Sequence, residues 1–367
     1  MQRDTPPFRA DHVGSLLRSQ PLKEARSKRA AGKLSTAELR AIEDAEIRKI
    51  IAKQEEIGLR AVTDGEFRRA YWHFDFLCGL DGVAMIEVAH GIQFAGVQSK
   101  AEAPFVRGKL GSRHHPQIAD FAFLKANTKR TAKMTIPSPS MMHYRGGRDM
   151  IDKTAYPSLE DFYRDLGAAY KQAIRGLYDA GCRYLQLDDC SFAYLCDTAQ
   201  REMLKRRGDD PDKQGEIYAG VINAALADRP RDLVVTTHVC RGNFRSTFIA
   251  SGGYEPIADL LFNRVNVDGY FLEWDSDRAG GFEPLRLLPK GKSVVLGLVT
   301  SKAGALEDKS FIKRRIEEAT RYAPLEQLCL SPQCGFASTE EGNVLDEEAQ
   351  WAKLRLVVEL ADEVWGR

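Results

Sequence analysis

Apolar residues fall into two alternating patterns along this chain. Short runs rich in β-branched residues read as buried strands. Longer stretches with apolar positions every three or four residues read as amphipathic helices. The strand-like runs are residues 8–13, 60–63, 131–136, 183–187, 233–237, 269–272, 293–299 and 327–330. Helical spacing lies between most of them. Ser35 and Glu38 form a capping-box pattern before Leu39, Ile42, Ile47, Ile50 and Ile51, and Gly58 ends that stripe. A second helix is expected to start at Ser158, turn Leu159, Phe162, Leu166, Tyr170, Ile174 and Leu177 inward, and stop at Gly181. Others are expected near 214–227, 311–322 and 345–364. Residues 83–110 instead partly alternate apolar and polar around Gly91 and Gly96, which reads as a β-hairpin excursion.

Strands separated mainly by helices predict an α/β fold, a closed (β/α)8 TIM barrel. No internal repeat and no Pro- or Ser-rich linker divides the chain, so residues 1–367 are expected to form one barrel domain. Polar residues cluster where the strand-like runs end. In order they are His12 with Ser15, Asp64 with Glu66, Ser138, Asp188 with Asp189, His238 with Cys240, Glu273, residues 300–302, and Cys334. In such a barrel the C-terminal strand ends converge at one mouth, so these residues are expected to meet there.

Four of them form a metal-ligand set. His238, Cys240, Glu273 and Cys334 offer one imidazole, two thiolates and one carboxylate, which suits tetrahedral Zn²⁺. Their three negative charges exceed the two positive charges of the ion. Such a centre is a weak Lewis acid towards water but holds a thiol substrate as thiolate near neutral pH. That chemistry activates sulfur for attack on carbon. Two other thiol pairs compete. Cys190 and Cys196 follow another strand-like run, and Cys329 lies close to Cys334 but inside an apolar run that reads as core.

Composition narrows the function classes. The net charge is +1 and no dense basic block occurs, so nucleic acid and acidic membranes are not expected partners. No apolar run is long enough to span a bilayer, and the N-terminus lacks a signal-peptide stretch. Seven scattered cysteines fit a reducing cytoplasm better than a disulfide framework.

The motifs His-Val-Gly-Ser (12–15), Asp-Gly-Glu-Phe (64–67), Gln-Leu-Asp-Asp (186–189), His-Val-Cys (238–240), Glu273 and Pro-Gln-Cys-Gly (332–335) resemble the C-terminal catalytic barrel of cobalamin-independent methionine synthases. The likeness covers nearly the whole chain. It implies a cytoplasmic methyltransferase of methionine biosynthesis, with His238, Cys240, Glu273 and Cys334 on zinc and the homocysteine sulfur held there. It implies further that Gly14 and Ser15 bind the amino-acid carboxylate, and that Glu66 and Asp188 hold the ammonium. That division agrees with the chemistry of a zwitterion, which needs carboxylates at one end and N–H or O–H donors at the other. Trp72, Phe74 and Phe76 are candidates for the mouth wall.

The chain departs from the family pattern at two places. The full-length synthases carry two barrels, and this chain has length for one; the other half helps hold polyglutamylated folate. The family's proton-transfer histidine has no counterpart, and Lys302 stands near its place. Lys302 is a candidate catalytic or anion-binding group, with a solvated loop lysine as the plain alternative. Methyl-folate, methylcobalamin or another methylated small molecule are candidate donors, and slow transfer from methyl-folate is the expectation. Epoxide opening by a zinc-held thiol, as in the related epoxyalkane:coenzyme M transferases, is the second reading. A non-catalytic zinc and thiol binder is the third.

Overall fold

The computed structural model describes residues 3–366. Its centre is a curled sheet of seven parallel strands: β1 (Ala61–Val62), β6 (Thr131–Pro137), β7 (Tyr184–Asp189), β8 (Val234–Val239), β9 (Gly269–Glu273), β10 (Ser293–Val299) and β11 (Leu328–Pro332), hydrogen-bonded in that order. Four further strands belong to the excursion: β2 (Asp81–Glu87), β3 (Gln93–Phe94), β4 (Val97–Gln98) and β5 (Glu102–Gly111). The fold is a TIM-like α/β barrel, as the alternation of periods predicts.

The expected first strand at 8–13 does not form. Only Ala10 bridges Leu330, with the Asp11 N–H donating to the Leu330 carbonyl at 3.0 Å. The reason is a side chain that takes the ladder's donors. The Asp11 carboxylate accepts the backbone N–H groups of Phe8 at 3.1 Å and His12 at 2.8 Å. It also accepts the Tyr184 hydroxyl at 2.8 Å and the Lys133 ammonium at 3.0 Å. Pro6 and Pro7 have no N–H to offer. An irregular segment, fixed by a fully buried ion pair, therefore fills the gap between β11 and β1. His12 leans across to β1, its Nε2 3.3 Å from the Ala61 carbonyl.

Helices follow the expected stripes. Thr36–Glu56 starts with the full capping box: the Ser35 hydroxyl accepts the Glu38 N–H at 3.2 Å, and Glu38 accepts the Ser35 N–H at 2.8 Å. Leu159–Asp179 buries Phe162, Leu166, Tyr170, Ile174 and Leu177. Pro211–Ala225, Lys309–Thr320 and Glu347–Trp365 cover further faces, with the first starting three residues before the predicted 214 because Asp210 caps it. No long helix separates β8 from β9 or β9 from β10; single turns at Glu255–Ile257, Leu260–Arg264, Asp277–Ala279 and Glu283–Leu287 do so. Glycine and proline at 252, 253, 256, 280, 281, 284 and 289 explain this, since each interrupts helical propagation.

The hairpin excursion spans 81–111. β2 pairs antiparallel with β5, Ile86 opposite Ala103. At its tip the small β3–β4 hairpin folds onto the loop after β8. The Ala95 N–H donates to the Phe248 carbonyl at 3.0 Å, and Phe94 stacks on Phe244 with centroids 5.1 Å apart. The excursion thus reaches over the C-terminal mouth of the barrel. No described helix is long and apolar enough to cross a membrane.

Candidate metal centre

His238 lies in β8 opposite Asp188 of β7, and Cys240 follows one residue past the strand. The Cys240 N–H donates to the Asp189 carbonyl at 2.7 Å, so the loop leaves the sheet in register. Glu273 is the last residue of β9, and Cys334 comes two residues after β11. One ligand atom from each of His238, Cys240, Glu273 and Cys334 lies within 4.8 Å of the others, and all four residues are buried. The Cys240 and Cys334 sulfurs are 3.5 Å apart. That approaches the ~3.8 Å edge subtended by two Zn–S bonds of ~2.3 Å at a tetrahedral angle.

The free valences point the same way. His238 Nδ1 faces the Phe271 carbonyl at 3.3 Å, which makes it the protonated nitrogen and leaves Nε2 with a lone pair. Nε2 is buried without a partner. Glu273 Oε1 accepts the Arg241 N–H at 3.2 Å, while Oε2 is buried with no hydrogen bond. Burial and then the Cys240 thiolate push the Glu273 carboxyl up to about 8. Hydrogen bonds from Cys190 and Cys334 hold the Cys240 thiol well below the ordinary thiol range. A dication is what such a group of donors lacks, and the residues fit Zn²⁺ in type, spacing and vacancy.

A small cavity of about 30 Å³ opens beside these ligands. Ser15, Glu66, Asp188, His238, Cys240 and Cys334 all line it, so six of the predicted residues share one space. Glu66 sits on an Asp-Gly-Glu turn with φ +60°, a left-handed backbone that an L-residue rarely adopts. The Asp64 carboxylate accepts the Glu66 N–H at 2.9 Å and holds that turn. Glu66 Oε1 accepts the Thr135 hydroxyl at 2.8 Å, and Oε2 is buried and open. Burial, opposed by His238 and reinforced by Glu66, pushes Asp188 up to about 7. Two buried carboxylates thus share one wall, and Glu66 Oε1 also lies 3.4 Å from the Arg69 guanidinium.

Gly14 does not face the cavity. Its φ is +136°, and a Cβ there would lie 2.6 Å from the Thr135 methyl. It sets the turn that lets Ser15 reach the wall, where the Ser15 hydroxyl accepts the Ala337 N–H at 3.4 Å. Lys302 is not a free loop lysine. Its ammonium donates to Asn243 Oδ1 at 2.9 Å and to the Thr247 and Gly242 carbonyls at 3.2 and 3.4 Å. It ties down the 242–247 loop behind the ligands and does not line the cavity. The competing pair of Cys190 and Cys196 is not assembled: Cys190 lines the cavity beside Cys240, whereas Cys196 donates to the Phe192 carbonyl at 3.5 Å. Cys329 packs with Val13, Phe271 and Val295, as a core residue. Trp72 lines the cavity as expected; Phe74 lies in neighbouring hollows and Phe76 is in the core. Arg145 also lines the cavity and has no sequence signal, because it follows the short helix Ser140–Tyr144 without a motif.

Comparison with known proteins agrees with the geometry. Residues 8–363 match the family described as the cobalamin-independent synthase catalytic domain. The chain is 54% identical over 361 residues to the protein YxjH of Bacillus subtilis, described as uncharacterized, covering 98% of this chain and 95% of that one. A crystal structure from Listeria monocytogenes, described provisionally as a vitamin-B12 independent methionine synthase, superposes with a TM-score of 0.81 at 43% identity and full coverage of both chains. A B12-independent methionine synthase from Shewanella sp. W3-18-1, in complex with selenomethionine, shares the fold with a TM-score of 0.73 at 19% identity and 97% coverage of each. With its metal-ligand cluster at the mouth of a TIM-like barrel, the chain belongs to the cobalamin-independent synthase catalytic-domain family.

Proposed function

We propose that this protein is a zinc-dependent methyltransferase that converts homocysteine to methionine. The observation that carries the reading is the juxtaposition of the His238–Cys240–Glu273–Cys334 cluster with two buried carboxylates, Glu66 and Asp188, in one cavity. A bound zinc ion would supply a Lewis acid that keeps the substrate sulfur deprotonated near neutral pH. The description of the Listeria monocytogenes relative points to the same reaction class.

The chain's own residues do the positioning. Glu66 and Asp188 take the ammonium, each by a charge-assisted hydrogen bond inside a low-dielectric wall. Ser15 offers its hydroxyl to the substrate carboxylate from the opposite turn. The Phe271 carbonyl fixes the His238 ring, and Arg241 fixes one oxygen of Glu273, so the ligand set is preorganised by its neighbours. Lys302 holds the loop after Cys240 through three carbonyl oxygens. Held in this way, the sulfur lone pair attacks the methyl carbon, a C–S bond forms, and the electron pair of the broken bond leaves with the donor. The protein contributes mainly orientation and exclusion of water.

The direct test is methionine formation by the purified protein, with its metal content measured, from homocysteine and a panel of donors: methyl-folate, methylcobalamin and simple methylated thiols. Binding of homocysteine is compared with that of coenzyme M. Glu66→Gln should weaken homocysteine binding about tenfold and leave metal content unchanged. Normal homocysteine binding by that variant, or preference for coenzyme M, would overturn the amino-acid reading and favour epoxide opening by a sulfonated thiol.

A further inference from the structure

Lys302, Asn243 and Ser338 form a chain of hydrogen bonds whose direction is fixed from both ends of one amide. The Lys302 ammonium can only donate, so the Asn243 amide oxygen must face it, at 2.9 Å. The Asn243 nitrogen therefore points the other way. It donates to the Gly335 carbonyl at 2.8 Å and to the Ser338 hydroxyl oxygen at 3.3 Å. The Gly335 carbonyl can only accept, so it demands the same orientation of the amide.

A hydroxyl that accepts from an amide N–H has its own proton to give elsewhere. The Ser338 proton finds no acceptor among the described residues, and Ser338 lines the metal cavity. Its main chain is pinned, because its carbonyl accepts the Trp72 N–H at 2.8 Å and the next residue, Thr339, bridges Tyr71. Ser15 is in the same condition. Its oxygen accepts the Ala337 N–H at 3.4 Å, and its proton has no acceptor among the described residues. Gly335 lines the cavity with them, and any Cβ there would collide with the Ser15 hydroxyl. Two O–H donors thus share one space with a bare glycine beside them. Behind them stands Lys302, which forms no ion pair among the described residues. Two donors with a cation at one remove suit a carboxylate, which has two acceptor oxygens and one negative charge.

We propose that Ser338 is a further substrate-binding residue, which donates its proton to the carboxylate of the amino-acid thiol alongside Ser15, and that Asn243 and Lys302 are positioning residues that aim that proton. The inference rests on the amino-acid-thiol reading for the identity of the ligand. It gives Lys302 a task other than proton transfer: through one amide, it polarises the donor that meets the substrate. It also makes the site selective, since a thiol without a carboxylate leaves both hydroxyl protons unpaired.

The test compares homocysteine with 3-mercaptopropylamine, which keeps the thiol and the ammonium and lacks the carboxylate. Both are titrated calorimetrically into the zinc-loaded full chain, with metal content measured in every sample. The native chain should prefer homocysteine on the order of a hundredfold. Ser338→Ala should weaken homocysteine about tenfold and leave 3-mercaptopropylamine unchanged. Ser338→Thr, which keeps a hydroxyl, should retain most of the preference. Asn243→Asp has the same shape, but its carboxylate would accept the Ser338 proton and turn that bond round. The preference should then fall at least as far as in Ser338→Ala. Lys302→Met frees the amide to turn and should also lower the preference, with no further loss when combined with Ser338→Ala. Equal weakening of both ligands in Ser338→Ala, or of neither, would overturn the proposal. So would a preference that survives Asn243→Asp, or one that Arg145→Met abolishes while Ser338→Ala keeps it. Additive losses in the double variant would return Lys302 to holding the loop and overturn the relay. Equal affinity of the native chain for both ligands would overturn the carboxylate grip alone and keep the thiol and ammonium contacts. Binding of neither ligand would sink the amino-acid-thiol reading itself.

Discussion

Three thiols, an imidazole and a carboxylate crowd into one corner of the mouth, and their individual roles are separable. Cys240 and Cys334 stand as ligands, while Cys190 touches Cys240 from the cavity side. Cys334→Ser replaces a thiolate with a neutral hydroxyl. The native chain should carry about one zinc per molecule, and the variant should lose most of it by elemental analysis. Full occupancy in both Cys240→Ser and Cys334→Ser would reassign the site to Cys190. Asp188 gives a pH signature. Its carboxyl is pushed up to about 7, so it must shed a proton to hold an ammonium. Homocysteine affinity should therefore strengthen as pH rises through about 7 and level off above it, a slope that Asp188→Asn should remove. The same raised value means the empty native state keeps a proton that the unfolded chain releases near its ordinary 3.8. The carboxyl thus lowers native stability as pH climbs between those two values. At this scale the ligands and carboxylates were legible, because scarce residue types recur at predicted strand ends. Arg145 was not legible, since an arginine after a short helix looks like any surface arginine until its surroundings are known.

Elements were read best where a local rule acts alone. The capping box of Ser35 and Glu38, the stripe from Phe162 to Leu177 and the alternation in the excursion each depend on near neighbours, and each forms. The segment at 8–13 shows the opposite case. Its apolar pattern suits a strand, yet Asp11 takes the local N–H groups and pairs with Lys133, a partner from β6. That ion pair has no exposure on either side chain. Removing one member leaves an uncompensated buried charge, so Asp11→Ala should cost about 3–5 kcal/mol in chemical denaturation. The double change Asp11→Leu with Lys133→Met should recover much of that loss, because the charge is removed together with its partner. If the single variant costs under about 1 kcal/mol, the segment is held by its contacts to Leu330 and β1 rather than by the ion pair.

The mouth as a whole is assembled by contacts that no local pattern encodes. Phe94, at the tip of the excursion, stacks on Phe244 of the loop after β8, and Lys302 from beyond β10 fastens that same loop. The sequence shows a hairpin and a lysine but not where either lands, because such pairings depend on the closed barrel. This separation of scaffold from site predicts the effect of metal removal. His238 and Glu273 belong to strands whose ladders and apolar neighbours, Leu272 and Leu296 among them, are complete without an ion. Chelation should therefore leave far-ultraviolet circular dichroism unchanged and thermal unfolding cooperative. It should still lower the midpoint by roughly 5 °C, since the ion binds the native state alone and its loss leaves the Cys240 thiolate and Glu273 facing each other in a dry corner. Re-addition of zinc should restore the midpoint in the native chain and not in Cys334→Ser. A metal-free protein with no cooperative transition would mean the opposite design, in which the cluster holds the ends of β8, β9 and β11 together and the barrel depends on its metal to close.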